Sequence, residues 1–502
     1  VNVGEFVDRA ARYFPNRPAV TWRDRTLSYA EFRRQVVALD AWLRAKGVQR
    51  GSRVIVFMEN RPEILVAMFA GFRSGGAVVP CNVRLTADEL GFIVSDAEPV
   101  VVVTDPDHEE VAREAAAGVE LLVAGPGFEE VVGRDVSGLA PADVVPSDTA
   151  WIFYTSGTTG RPKGAMLPHS VLTFVTVSWL AELTPLNERD VTLHAAPLSH
   201  GAGFHALAVT ARAAHHVIAP GASFDPEATL RLVGEAGVTN TWMVPTQIVM
   251  LTEAAAGRVD LPSLQYVVYG GAPMAPTAIT RALECFGPVF VQLYGQGETP
   301  MTATVLRRQD HRPELLGSAG RPRLGVDVAV ADAEGHILAP GEIGEVVVRG
   351  PSVMSGYWRR PEATNETLRG GWLHTGDLGR FSDDGVLWLL DRTKDMIISG
   401  GANVYAVEVE RVLMEHPDVI DVAVVGLPDE LWGEVVTAVV VTRSELDPAA
   451  LEDHCRRVLA GYKIPRRWVQ AESLPRNAYG KVLKRELRER LGRDARATER
   501  SR

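Results

Sequence analysis

The stretch Tyr154-Thr155-Ser156-Gly157-Thr158-Thr159-Gly160-Arg161-Pro162-Lys163-Gly164 decides how this chain is read. The apolar run Trp151 to Phe153 before it predicts a strand, and a helix is expected to resume after it. Its three glycines allow backbone angles closed to other residues, so successive N–H groups can turn inward as an anion nest. Four hydroxyls, on Thr155, Ser156, Thr158 and Thr159, add donors, and Lys163 adds a mobile positive charge suited to phosphate. A plain Ser/Thr/Gly linker seldom places a proline and a lysine after such a run before regular structure returns. No Gly-Lys pair is followed by Ser or Thr, so this is not the loop of a P-loop NTPase.

Upstream, helix and strand patterns alternate. Ser28-Tyr29-Ala30-Glu31 reads as a capping box, Phe32, Val36, Leu39 and Leu43 recur at helical spacing, and Gly47 closes the helix. Val54 to Met58 and Val100 to Val103 predict buried strands, and Pro62-Glu63 opens a helix that Gly75-Gly76 stops. Repeated units of this kind imply parallel sheets covered by helices. From Val326 to Gly350 short strands broken by Gly and Pro predict a small antiparallel subdomain. Beyond Arg392 a compact α+β unit is expected, with strands at Val422 to Val425 and Val435 to Val441 and a helix from about Pro448. The stretch Lys481 to Arg502, with nine Lys/Arg against four Asp/Glu, reads as a solvated, fraying tail.

With 502 residues the chain exceeds one hydrophobic core, since cores stop growing near about 250–300 residues. Its net charge of −11 argues against a protein that coats nucleic acid. Cys81, Cys285 and Cys455 lie far apart with no CxxC pair, which excludes a disulfide scaffold and a cysteine-rich zinc site. No apolar run approaches the length of a membrane span, and Val1 to Phe6 reads as an amphipathic helix lacking the pattern of a signal peptide. A cytoplasmic enzyme is expected.

Further motifs follow the glycine-rich run in order. They are Pro197-Leu198-Ser199-His200, Tyr269-Gly270-Gly271-Ala272-Pro273, Tyr294-Gly295-Gln296-Gly297-Glu298, Thr375-Gly376-Asp377 and Asp391-Arg392-Thr393-Lys394-Asp395. Ser399-Gly400-Gly401-Ala402-Asn403-Val404 and Pro475-Arg476-Asn477-Ala478-Tyr479-Gly480-Lys481 close the series. Together these resemble the motifs of the adenylate-forming enzymes, in particular their acyl-CoA synthetase branch, over nearly the whole chain. The resemblance implies an α/β fold: a large N-terminal domain, residues 1–391, of helix-covered mixed or parallel sheets with a small antiparallel β subdomain, and a small mobile α+β C-terminal domain, residues 392–502.

It also implies a two-step reaction with ATP, Mg²⁺ and coenzyme A. A carboxylate attacks the α-phosphorus to give an acyl-adenylate and pyrophosphate, and a thiol then displaces AMP. Thr155, Ser156, Gly157, Thr158, Thr159 and Lys163 would hold the β- and γ-phosphates. Glu298, with Thr155, would bind Mg²⁺, a hard cation served by oxygen donors. Tyr294 and Gly295 would face adenine, with Gly271, Ala272 and Pro273 as the other wall. Asp377 and Arg392 would take the ribose, Lys481 the reacting carboxylate and α-phosphate, Lys394 the hinge, and Gly400-Gly401 the pantetheine tunnel. The catalytic set implied is Lys481, Glu298 and Thr155.

The acid pocket implied by the resemblance runs past His200, Phe204, Trp242, Val244 and Gly270, with Met243, Pro245 and Trp179 near it. This lining is apolar, and Gly203-Phe204-His205-Ala206 carries no acidic residue to pair with an ammonium, so an amino acid is not expected. A medium- or long-chain fatty acid is the first reading, with an aryl or alicyclic acid as the alternative. His200 is open between a gate, a carboxylate contact and a core histidine. A carrier protein in place of coenzyme A, contact with a membrane surface and a homodimer also stay open. The chain departs from the family pattern at Gly297, where a threonine is usual, and at Ala406, where a proline is common. Gln296, Thr299 or a water are the candidates to replace the lost hydroxyl. One rival motif, Gly201-Ala202-Gly203-Phe204-His205-Ala206 with Asp225 downstream, matches a dinucleotide fingerprint, but Pro197 and Ser199-His200 interrupt the strand that should feed it.

Overall fold

The structure, a computed structural model, describes residues 1–155, 161–221, 223–392, 394–429, 432–477 and 482–499, with side chains described as far as residue 492. It is α/β, as the alternating patterns imply, and divides into two compact units. The first comprises residues 1–328 and 347–374, the second residues 329–346 and 375–502.

Two large sheets build the first unit. A seven-stranded sheet runs in the order Gly356–Tyr357, Lys163–Pro168, Thr149–Thr155, Ala77–Pro80, Arg53–Phe57, Val101–Thr104, Glu120–Val123. Its last five members are parallel, and each of the three innermost, from Ala77 to Thr104, reads as a continuous buried run, as a sheet covered on both faces requires. A nine-stranded sheet has parallel Val191–His194, His215–Ile218, Asn240–Met243, Tyr266–Tyr269 and Phe290–Gln296 near its centre, with Thr299–Leu306 returning antiparallel to the last of these. The expected capping box is present: the Ser28 side chain accepts from the Glu31 amide at the start of helix Tyr29–Ala45, and Gly47 follows at φ +96°.

Chain entry into the site differs from expectation in one respect. After the glycine-rich run the chain forms strand Lys163–Pro168 before helix His169–Glu182 begins. That strand pairs antiparallel with Thr149–Thr155, setting Lys163 opposite Thr155 and Gly164 opposite Tyr154. Only glycine fits at 164, because a Cβ there would come within 2.6 Å of Ile152 Cγ2 and 3.2 Å of the Tyr154 ring. The residues that follow, Ala165 to Pro168, are held as strand by this same pairing.

A ladder of rings crosses the core of this unit. Phe72 stacks on Trp151 with centroids 6.0 Å apart, Trp151 on Phe204 at 4.5 Å, and Phe153 lies 5.7 Å from Phe204 and 4.8 Å from His200. Trp179 is not part of this row. It is fully buried, stacks on His205 at 4.4 Å and donates its indole N–H to Thr184.

The second unit carries most of a four-stranded sheet, Asp327–Ala331, Gly344–Arg349, Leu373–Phe381 and Leu387–Arg392, and a second sheet of Ala402–Val404, Ile397–Ser399, Gly433–Thr442 and Val419–Asp429, with Arg467–Gln470 beside Gly433–Thr442. The strands read as Val422 to Val425 and Val435 to Val441 extend to eleven and ten residues because they pair along their whole length. Helix Pro448–Arg456 starts where expected, N-capped by Asp447. Ala406 is the first residue of helix Ala406–Met414, a position that suits proline but equally suits alanine. Among the described residues no helix is long and apolar enough to cross a membrane. All three cysteines are buried and unpaired, and burial pushes the Cys81 thiol up to about 12.

Candidate active site

Strand Thr149–Thr155 delivers Thr155 to the carboxyl end of its sheet, the end at which α/β folds bind ligands. Its hydroxyl donates to Glu298 Oε1 at 3.0 Å. Glu298 lies in the turn between the antiparallel strands Phe290–Gln296 and Thr299–Leu306 and is 8% exposed. The same Oε1 accepts a second hydrogen bond, 2.8 Å long, from the phenol of Tyr357. Lys163, opposite Thr155 in the hairpin, holds its ammonium 5.2 Å above the Tyr357 ring. The structure thus brings Thr155, Glu298 and Lys163 together. Tyr357 was not foreseen, and its only signal is an aromatic residue directly after a glycine, Gly356, that takes φ +140°.

These groups suit a hard divalent cation. Both candidate donors, the Thr155 hydroxyl and the Glu298 carboxylate, are oxygens. That combination fits Mg²⁺, which binds through one or two protein oxygens plus the phosphates of a nucleotide. Ser156, Gly157, Thr158, Thr159 and Lys481, expected to take part in the site, lie outside the described residues.

Gly297 is glycine for a steric reason. A Cβ there would stand 2.5 Å from Thr155 Cγ2 and 2.6 Å from Phe153 Cδ1, closer than real contacts allow. The ring of Phe153 therefore occupies the space that a side chain at 297 would enter. Thr299 does not replace the missing hydroxyl: it is fully buried and shares a 2.9 Å hydrogen bond with Ser352.

Tyr294 is buried near the end of its strand, and Gly271-Ala272-Pro273 form an exposed turn following strand Tyr266–Tyr269 in the same sheet, with Gly271 at φ +81°. Around the residues expected to line the acid pocket, strand Asn240–Met243 alternates its faces. Met243 joins the core formed with Ile248 and Leu251, while Trp242 turns toward helix Gly201–Ala211. A Cβ at Gly201 would meet Met301 Cε at 2.3 Å and the Trp242 ring at 2.8 Å, so these three residues pack tightly. Gly270 is pressed on the Leu293 carbonyl, 2.5 Å from where its Cβ would be. His200 precedes the helix under the Phe153 ring, and desolvation pushes it down to about 4, so it is neutral at pH 7. Gly201 and Gly203 are packing glycines, the latter against the Leu198 carbonyl and Trp151, which removes the dinucleotide reading. Asp225 merely caps the next helix through the Ala228 amide.

In the second unit Asp377 and Arg392 face each other across adjacent strands, and Arg392 Nε lies 3.0 Å from Asp377 Oδ1. The preceding Gly376, at φ +69°, donates its N–H to Glu345 Oε1, and the Thr375 hydroxyl donates to the Val346 carbonyl. These bonds fix the strand that presents Asp377. Burial raises Asp391 to about 6, although its carboxylate accepts from the Arg392 amide. Lys394 is shifted down, first by burial and then by the charge of Arg392, and Arg488 pairs with its neighbour Asp395 at 3.0 Å. Gly400 and Gly401 form the two-residue turn of the hairpin Ile397–Ser399 to Ala402–Val404, both with positive φ, as a type I′ turn demands. A Cβ on Gly400 would also strike the Trp432 ring at 2.8 Å.

Residues 7–358 match the family model described as AMP-binding enzyme, and residues 408–481 match that of the AMP-binding enzyme C-terminal domain. A feruloyl-CoA synthase from Amycolatopsis sp is 41% identical over 493 residues, 98% of this chain and 99% of that protein. A medium/long-chain-fatty-acid–CoA ligase from Mycobacterium tuberculosis is 35% identical over 517 residues, 97% of this chain and 90% of that protein. Among solved structures, the o-succinylbenzoate CoA synthetase from Bacillus subtilis in complex with its acyl-adenylate superposes with a TM-score of 0.89 at 31% identity, over 96% of this chain and 97% of that one.

Proposed function

Because this chain belongs to the AMP-binding enzyme family, as an AMP-forming acid–thiol ligase that uses ATP, Mg²⁺ and coenzyme A, we propose that the acid it activates is hydrophobic and enters beside His200. The observation that carries the nucleotide-binding part of the reading is the joining of Thr155, Glu298 and Lys163 beside the glycine-rich run. Thr155 and Glu298 hold Mg²⁺, which neutralises charge on the triphosphate when bound. Ser156, Gly157, Thr158, Thr159 and Lys163 cradle the β- and γ-phosphates. Tyr294 and Gly295 face adenine against Gly271, Ala272 and Pro273, and Asp377 with Arg392 takes the ribose.

A carboxylate oxygen bonds to the α-phosphorus as the bond to pyrophosphate breaks, with Lys481 beside the reacting oxygens. The thiol of coenzyme A then bonds to the acyl carbon, the acyl–oxygen bond to AMP breaks, and the thiol proton passes to solvent. A rotation about Lys394, near the boundary between residues 1–391 and 392–502, exchanges Lys481 for the Gly400-Gly401 turn between the two steps.

The rings of Phe153, Phe204 and His200, packed at a tilt to one another, with Trp242 packed on Gly201, favour a ring-bearing acid, aryl or alicyclic. A medium- or long-chain fatty acid is the second reading, supported by an apolar lining without a charge near Phe204. Acid-dependent exchange of labelled pyrophosphate into ATP, run across alkanoic and aryl acids, tests both. Mass detection after adding coenzyme A, or a phosphopantetheinylated carrier protein, identifies the acceptor. Exchange with aryl acids and a CoA thioester are expected; exchange confined to alkanoic acids overturns the preference, and none with any hydrophobic acid overturns the pocket.

A further inference from the structure

Tyr357 lies outside every motif that marks the site, yet it touches two of its charged groups. Its phenol donates to Glu298 Oε1 at 2.8 Å, alongside the Thr155 hydroxyl at 3.0 Å. Both donors converge on one carboxylate oxygen, and no described residue bonds to the other, Oε2. The Tyr357 ring meanwhile supports the Lys163 ammonium at 5.2 Å.

The residue is held firmly enough to matter. Gly356–Tyr357 pairs with the edge of the glycine-rich hairpin, placing Tyr357 opposite Ala165, and the Trp358 amide donates to the Gly164 carbonyl at 2.8 Å. The Tyr357 amide donates to the Thr364 hydroxyl at 2.8 Å. On its C-terminal side the Trp358 indole donates to the Asp96 carbonyl, and Arg360 pairs with the Asp96 carboxylate. Tyr154, next to Thr155, bonds to that same carboxylate at 2.7 Å. One brace therefore anchors the segment carrying Tyr357 and the strand carrying Thr155.

We propose that Tyr357 is a positioning residue for the divalent cation and the triphosphate: its phenol and Thr155 fix Glu298 through Oε1 and leave Oε2 for the cation, while its ring holds Lys163 at the phosphate site. This rests on the reading of Glu298 as a cation ligand. The assignment extends a general rule, that groups orienting a metal-ligating carboxylate govern metal affinity almost as strongly as the ligand itself.

The test is the dissociation constant of a non-hydrolysable ATP analogue, measured by equilibrium dialysis in excess EDTA and in excess Mg²⁺. In the wild type Mg²⁺ tightens binding; no tightening would sink the Glu298 reading itself. Tyr357→Phe keeps the ring and loses only the hydroxyl, so the constant in EDTA stays within about twofold of wild type while that in Mg²⁺ weakens about 10-fold. Equal constants in Mg²⁺, or equal weakening in both media as a merely structural role would give, overturn the proposal. Tyr357→Leu removes the ring as well and weakens the EDTA constant about 2- to 5-fold beyond Tyr357→Phe. If the two variants match in EDTA, the part of the proposal concerning Lys163 is wrong.

Discussion

Replacing Gly297 by threonine, the residue usual in this family, is expected to damage this enzyme. The new Cβ would begin 2.5 Å from Thr155 Cγ2 and 2.6 Å from Phe153 Cδ1, whereas carbon atoms settle near 3.5–4.0 Å, so each neighbour must give by about 1 Å. Phe153 has little room to retreat, with Phe204 and His200 packed against it. Thr155 moves only by disturbing its bond to Glu298. Overpacking of this kind costs about 1–3 kcal/mol, which at tenfold per 1.36 kcal/mol corresponds to about 5- to 150-fold in kcat/KM if it falls on the transition state. Acid-dependent pyrophosphate exchange measures it. The companion variant, Gly297→Thr with Phe153→Ala, opens the volume the threonine needs, and the double-mutant cycle should show coupling of about 0.5–3 kcal/mol. Full exchange activity in Gly297→Thr, or strictly additive losses in the cycle, would refute the claim that Phe153 occupies the place of the missing side chain.

Acid should destabilise the protein at a higher pH than carboxylate titration alone explains. Burial holds His194 down to about 3 and His169, His200 and His215 to about 4, while an unfolded chain binds these protons near 6.5. The unfolded state thus holds more protons between those values, so stability is full above about 6.5 and falls with pH, by up to about 1.4 kcal/mol per unit per histidine. Asp391, raised to about 6, opposes this as a single group. Urea midpoints at pH 7.5, 6.5 and 5.5 at constant salt should decline steeply, and a flat profile would contradict the burial of these rings. Asp377→Asn should leave the strand in place but weaken ATP binding about 10-fold, since it removes the charged acceptor and the partner of Arg392; calorimetric titration with unchanged affinity would remove Asp377 from the ribose site. Lys481→Ala should slow adenylate formation by about 10²–10³ while sparing thioester formation from a supplied acyl-adenylate, and equal losses in both halves would undo the two-pose assignment.

What the sequence could convey followed from range. The capping box at Ser28 and the glycine stop at Gly47 are local chemistry, readable without partners in space, whereas the hairpin that Gly400-Gly401 turns was not read from the sequence. The strand at Lys163–Pro168 was missed because its partner, Thr149–Thr155, supplies the pairing that makes it a strand. Tyr357 reaches Glu298 across 59 positions, and nothing in the flanking Gly356 or Trp358 announces a phenol at a cation site. The same holds for Gly297: its departure from the family pattern was visible, but the reason, a phenylalanine more than a hundred positions earlier, is a property of packing. Thr299, a plausible substitute by proximity in sequence, proves to be occupied by Ser352, which again only tertiary structure reveals.

The antiparallel pairing of Thr155 with Lys163 has a further consequence for how this enzyme can be altered. Directly opposed residues in such a ladder keep their Cα atoms within about 4.5–5.5 Å whatever joins them. The ladder therefore sets where the two ends stand, whatever sequence joins them. Since closing a loop twice as long costs only about 0.6 kcal/mol, insertions there should be accepted by the scaffold even where they abolish turnover. Libraries varied between Thr155 and Lys163 would sample nucleotide chemistry on the frame that this pairing sets.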